Sequence, residues 1–169
     1  KILKPVEINP PHPSAPFEQP GQTDEQLAAQ YFRERDYEKA VVLYEKLYEL
    51  KNNSLYYTYF LYCLIQLEDY KKAEQLVKKQ IRERPETIKY KVDLGYVYSE
   101  SGDQRKAVKQ FDLALKEVPG NRVKIIELAN AFLYRGQTEY AVSVYKKGSK
   151  IINYPFYMEI GDLYRQVRN

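Results

Sequence analysis

The stretch that decides the fold runs Leu94-Gly95-Tyr96-Val97-Tyr98 and breaks at Gly102-Asp103. It then resumes as Ala107-Val108-Lys109-Gln110-Phe111 and closes at Pro119. Both halves carry apolar residues at helical spacing, and the Gly-Asp pair ends one helix before the next begins. Outward from there the pattern recurs. Ala40, Ala73, Ala107 and Ala141 lie 33, 34 and 34 residues apart. Four residues after each comes a large apolar side chain: Tyr44, Val77, Phe111 and Tyr145. Pro85, Pro119 and Pro155 follow at intervals of 34 and 36. A fixed period of this length marks stacked structural repeats.

These residues resemble the tetratricopeptide repeat, whose signature is Leu-Gly-x-x-Tyr in a first helix, then Ala-x-x-x-Phe and a closing proline in a second. The third unit, 88–121, carries nearly all of it through Leu94, Gly95, Tyr98, Gly102, Ala107, Phe111, Ala114 and Pro119. The first matches through Leu27, Ala28, Tyr31, Ala40 and Tyr44, and the second through Phe60, Leu61, Leu64, Ala73 and Pro85. The fourth matches through Leu128, Ala129, Phe132, Gly136, Ala141 and Tyr145. The departures are the absence of tryptophan and an Asn153 where the fourth unit would close on proline. The resemblance implies an all-α fold: a right-handed superhelical solenoid of helix-turn-helix repeats, with four full repeats plus one additional C-terminal helix.

The repeats fall at about 22–53, 54–87, 88–121 and 122–153, with a final helix at 154–167. The helix pairs are expected at 24–35 with 37–51, 54–67 with 70–84, 88–101 with 104–117, and 122–135 with 138–151. Thr23-Asp24-Glu25-Gln26 reads as a capping box that starts the first helix. No unit can bury its apolar stripe alone, so neighbours must stack. In the last helix Ile160-Gly161-x-x-Tyr164 repeats the first-helix motif, with Tyr157 and Val167 expected on the same face. Two readings stand for it: a solvating end cap with Glu159, Asp162, Arg165 and Arg168 facing water, or the first half of a fifth repeat. The start at Lys1 rather than methionine favours the second.

Composition narrows the function. Of 169 residues, 44% are hydrophobic and 30% charged, and 27 basic against 23 acidic groups give +4. Cys63 and His12 are single, which excludes a disulfide framework, a cysteine-rich zinc site and any mechanism needing two histidines. There is no glycine-rich phosphate loop and no metal-ligand spacing. Cys63 sits in the apolar run Leu61-Tyr62-Cys63-Leu64 and reads as core. No catalysis, cofactor or small-molecule substrate is expected. Lys71, Lys72, Lys78, Lys79, Arg82 and Arg84 crowd one second helix, but they interleave with Glu68, Glu74 and Glu83 as on a solvated face, so nucleic acid is not the expected partner.

By the resemblance, first helices line a concave groove that binds a peptide or protein. Projection places Ala29, Phe32, Arg33, Tyr59, Tyr62, Gln66, Lys89, Asp93, Tyr96, Glu100, Glu127, Asn130, Tyr134, Glu159 and Asp162 there. The expected partner-binding residues are Tyr59, Tyr62, Asp93, Tyr96, Asn130 and Tyr134, since tyrosine joins a rigid apolar ring to a polar tip. Some members of the family clamp a chaperone carboxylate with basic and amide residues. The matching positions here are Glu25, Ala29, Tyr59, Lys89 and Asp93, and of these Lys89 alone suits that role. The expected function is a non-catalytic protein-interaction scaffold. The alternative is an assembly module that forms homo-oligomers through its repeat ends or by docking a proline-rich segment.

That segment is residues 1–21, which hold six of the nine prolines and read as an extended tail. The stretch Gln22–Tyr48 is similar to the start of the mature part of exported repeat proteins of the Bacteroidota. Periplasm or cell envelope is the expected compartment, with cytoplasm as the alternative.

Overall fold

The computed structural model describes residues 23–168. Among them there are nine α-helices and no strand: α1 (Asp24–Arg33), α2 (Tyr37–Lys51), α3 (Ser54–Gln66), α4 (Tyr70–Glu83), α5 (Lys89–Glu100), α6 (Gln104–Lys116), α7 (Arg122–Tyr134), α8 (Thr138–Ile152) and α9 (Tyr157–Arg168). The chain is an all-α solenoid of helical repeats. Successive helices pack on one another: α1 on α2, α3 on α4, α5 on α6 and α7 on α8 within pairs, and α2 on α3 and α4 on α5 between them. The proline-rich tail and His12 lie outside the described residues.

Local chemistry sets each corner. Thr23 accepts from the Gln26 backbone and the Gln26 side chain returns to the Thr23 N–H, so the capping box forms. Asp36, Asp69 and Asp103 cap α2, α4 and α6 by accepting the N–H three residues on, at 3.2, 3.1 and 3.0 Å. The equivalent Gln137 makes no side-chain cap. One residue earlier the chain turns through positive φ each time: Arg35 at 60°, Glu68 at 57°, Gly102 at 85° and Gly136 at 70°. Two repeats meet that demand with glycine and two hold a side chain in a region it disfavours.

The periodic alanines are all fully buried, as the spacing requires. At Gly95 the reason for glycine is contact: a Cβ there would lie 2.5 Å from Cδ1 of Phe111. The Phe111 ring occupies the space a side chain would take, which brings α5 and α6 together. Phe111 also meets Phe132 and Tyr140 at 5.8 and 5.2 Å, extending the core into the next pair.

Phe156, just before α9, and Ile160 and Leu163 within it face the core, so of the expected stripe Ile160 turns inward and Tyr157 does not; the Val167 side chain lies outside the described ones. Tyr157 is 80% exposed. The helix is rotated by about one residue from that expectation because Phe156, just before it, anchors between Tyr145 and Tyr154 at 5.1 Å from each.

Candidate functional site

A cleft of about 620 Å³ opens on the face built by the first helices α3, α5 and α7. Thr58 of α3 forms one side, Glu86, Thr87 and Ile88 come from the α4–α5 turn, and Lys89 opens α5. Lys124, Glu127, Asn130, Ala131 and Tyr134 project from α7, and Pro119 closes an end. Asp93 and Arg135 form the floor. The repeat places these side chains together because first helices of successive pairs lie side by side.

The floor is a saturated ionic centre. Arg135 donates from Nε and Nη2 to Asp93 Oδ1 at 2.9 and 2.7 Å. The Tyr57 hydroxyl donates to Asp93 Oδ2 at 2.9 Å. Both charged side chains are buried, and with both carboxylate oxygens bonded the pair meets the condition under which buried ions persist. Burial, and then the Asp93 charge, push the Tyr57 hydroxyl well above the usual tyrosine range. The Arg135 guanidinium also lies 4.5 Å from the Tyr96 ring and 4.9 Å from the Tyr134 ring. One arginine thus orders two of the expected binding tyrosines.

The six residues singled out in the sequence divide into groups. Asp93, Asn130 and Tyr134 line the cleft. Asn130 and Tyr134 are exposed there, whereas the buried Asp93 carboxylate is held by Arg135 and Tyr57. Half-buried Tyr96 joins them through Arg135. Tyr59 and Tyr62 sit instead in an aromatic cluster toward α1. Phe32 is 4.9 Å from Tyr59 and 5.1 Å from Tyr62, Tyr44 stacks on Tyr59 at 4.9 Å, and Tyr37 lies 5.9 Å from Tyr62. Their rings are half-buried and serve packing as well as surface. The position that sequence reasoning missed is Arg135. Its partner is 42 residues away, so no local pattern flags it. The available signal was register: the other three repeats place Glu34, Leu67 and Ser101 there, so the basic residue is peculiar to the fourth.

The remaining chemistry is quiet. Burial pushes the Cys63 thiol up to about 12, which keeps it protonated and unreactive. Among the described residues no group of three histidine, cysteine or acidic side chains could hold a metal ion. No helix among them is long and apolar enough to cross a membrane. The basic second helices are paired with acids: Lys72 with Glu45 at 2.7 Å, Lys78 with Glu74 at 2.5 Å and Lys106 with Asp103 at 2.9 Å. Lys147 caps the α6 carbonyls of Leu115 and Lys116 at 2.9 Å each. At the clamp positions, Glu25 is held by Lys51, and Lys89 lies over the Tyr90 and Tyr57 rings at 5.3 and 5.8 Å.

The family model of the tetratricopeptide repeat matches residues 88–119. No curated protein matches the chain. A solved structure titled MamA AMB-1 C2221 is similar at 19% identity over 76% of each chain, with a TM-score of 0.42.

Proposed function

We propose that this chain, whose residues 88–119 match the tetratricopeptide-repeat model, is built of such repeats and works as a non-catalytic scaffold that holds an extended peptide in the cleft of α3, α5 and α7. The observation that carries the reading is the floor of that cleft. A buried Arg135–Asp93 pair sets the guanidinium against the rings of Tyr96 and Tyr134, and such preorganisation lowers the entropy lost on binding. Above that floor the Asn130 amide is exposed. An amide offers both a donor and an acceptor, which is what an extended backbone presents. The charges around it, Lys89 and Lys124 against Glu86 and Glu127, are balanced and favour a peptide of mixed charge. The reading includes residence in the periplasm or cell envelope, supported by the likeness of residues 22–48 to exported repeat proteins.

The test is capture with the chain as bait, run beside an Asn130→Ala, Tyr134→Ala variant. Both side chains are exposed, so circular dichroism should show an unchanged helical content. The expected result is a partner from the envelope fraction that the variant binds at least about tenfold more weakly, a typical loss when an interface aromatic and a polar contact go together. Equal retention by both baits contradicts the cleft assignment, and a partner drawn from cytosol alone contradicts the compartment.

A further inference from the structure

Three residues hold one place in successive first helices. Tyr62 on α3, Tyr96 on α5 and Asn130 on α7 lie 34 residues apart each time. Tyr62 is braced by Phe32 at 5.1 Å and Tyr37 at 5.9 Å. Tyr96 is braced by Arg135 at 4.5 Å. Both rings keep part of their surface open, Asn130 is exposed, and Tyr134 stands one turn further on at 65% exposure. Burial first, then Glu100, Tyr62 and Tyr134, raise the Tyr96 hydroxyl above the usual tyrosine range, as befits groups that share one surface.

The row has a pitch. Helices packed side by side stand about 8–10 Å apart, so the rungs recur at that interval. A β-strand advances about 6.7 Å in the two residues that return a side chain to one face, and falls out of step. A polyproline II helix advances about 9.3 Å in its three-residue turn, and stays in step. This chain carries such a segment. Pro10, Pro13 and Pro16 recur every third residue, which puts them on one edge of that helix, one per rung. Proline has no N–H to donate, so the segment offers rings and carbonyl acceptors. The row offers aromatic faces, tyrosine hydroxyls and an amide, which donate.

The tether is long enough. Lys51 pairs with Glu25 at the start of α1 and lies 5.7 Å from the Tyr56 ring at the start of α3, so both helices begin at one edge. Tyr62 stands eight residues along α3 from Ser54, a rise of about 12 Å. With one helix spacing added sideways, it is roughly 16 Å from Thr23. The six residues 17–22 span up to about 20 Å. Glu18 on that tether is within reach of Arg33, an exposed cation with no ion-pair partner among the described residues.

We propose that residues 10–16 of this chain lie along the row as a polyproline II helix, with Pro16 at Tyr62, Pro13 at Tyr96, and Pro10 at Asn130 and Tyr134. The inference rests on the cleft reading in sharing its surface, and adds its regulation: an outside peptide gains the cleft only by displacing the chain's own segment.

The test places a nitroxide on Ser14→Cys in the whole chain. Cys63 is buried with its thiol protonated, so the label goes to one site, and position 14 is off the proline edge. The label should broaden the NMR signals of the Tyr96 ring and the Asn130 amide and spare Val108 on α6. Pro10→Ala, Pro13→Ala and Pro16→Ala together should restore full intensity. Nitroxide-bearing chain mixed with isotope-labelled, nitroxide-free chain should leave the latter sharp, because the contact is internal. A synthetic peptide of residues 5–18 should bind the three-proline variant at least about tenfold more tightly than the wild type, since a tethered competitor acts at an effective concentration on the order of millimolar. Full intensity at Tyr96 and Asn130 in the labelled chain overturns the proposal. So does broadening that survives the three substitutions, or equal peptide affinity for both chains. Broadening confined to the mixed sample also overturns it, and gives the row to a neighbour's segment. Capture of a foreign partner, and its loss with Asn130→Ala, Tyr134→Ala, is read separately, so failure of this inference and failure of the cleft reading are told apart.

Discussion

α5 and α9 carry the same motif and have opposite fates. In α5 the glycine exists because Phe111 fills its place, and Tyr98 is roofed by the neighbouring pair, its hydroxyl donating to Glu74 at 2.9 Å. In α9 the same glycine faces open space and the same tyrosine is half exposed. Among the described residues the motif of α5 has received a second helix, α6, and that of α9 has not. A repeat gains its stability from the neighbour rather than from its own propensity.

Removing the filler from the filled pair should have the largest effect. Phe111→Ala empties the α5–α6 slot and the contacts to Phe132 and Tyr140, at a cost of about 3–5 kcal/mol, measured by urea unfolding. Asp93→Ala leaves Arg135 charged and buried beneath Tyr96, and should cost a comparable about 3–5 kcal/mol. It should also free the Tyr96 and Tyr134 rings, visible as broadened aromatic NMR signals.

The sharpest contrast comes from one substitution made twice. Gly95→Ala drives a methyl into the Phe111 ring and should destabilise by about 1–3 kcal/mol. Gly161→Ala meets nothing and should stabilise by about 0.5–1 kcal/mol through helix propensity. Equal signs would break the comparison.

A smaller effect belongs to the turns. Glu68→Gly relieves a side chain held at φ 57° and should raise stability by roughly 1 kcal/mol, seen as a higher thermal midpoint, whereas Gly102→Ala should lower it.

Alkaline pH adds a graded test of the filled pairs. Burial pushes the Tyr44 and Tyr140 hydroxyls up to about 12, while unfolded tyrosine ionises near about 10. The stability they contribute is full below that lower value and is lost as pH rises toward the higher one. Urea midpoints should be level up to about pH 9 and then fall.

The repeat was legible because its determinants are local and periodic: the recurring Ala-x-x-x-large pattern at Ala40, Ala73, Ala107 and Ala141, the Leu94-Gly95-x-x-Tyr98 motif and the Thr23–Gln26 capping box each speak within one helix or one turn. What escaped is what depends on distance. Asp93 was expected in the groove, and its pairing with Arg135, 42 residues on, gives no periodic sign. The facing of α9 was misjudged because one anchoring ring, Phe156, overrides a pattern that Tyr157 fits equally well. Tyr59 and Tyr62 belong to the aromatic cluster of Phe32 and Tyr44, which the 3.6-residue period could not separate from exposed surface.

Hydrogen–deuterium exchange of the chain with and without its captured partner tests the central claim most directly, since it reads which helices the partner covers. The account predicts added protection in α3, α5 and α7 and in the 86–89 turn, with α4, α6 and α8 unchanged. Protection confined to the second helices α4, α6 and α8 would contradict it.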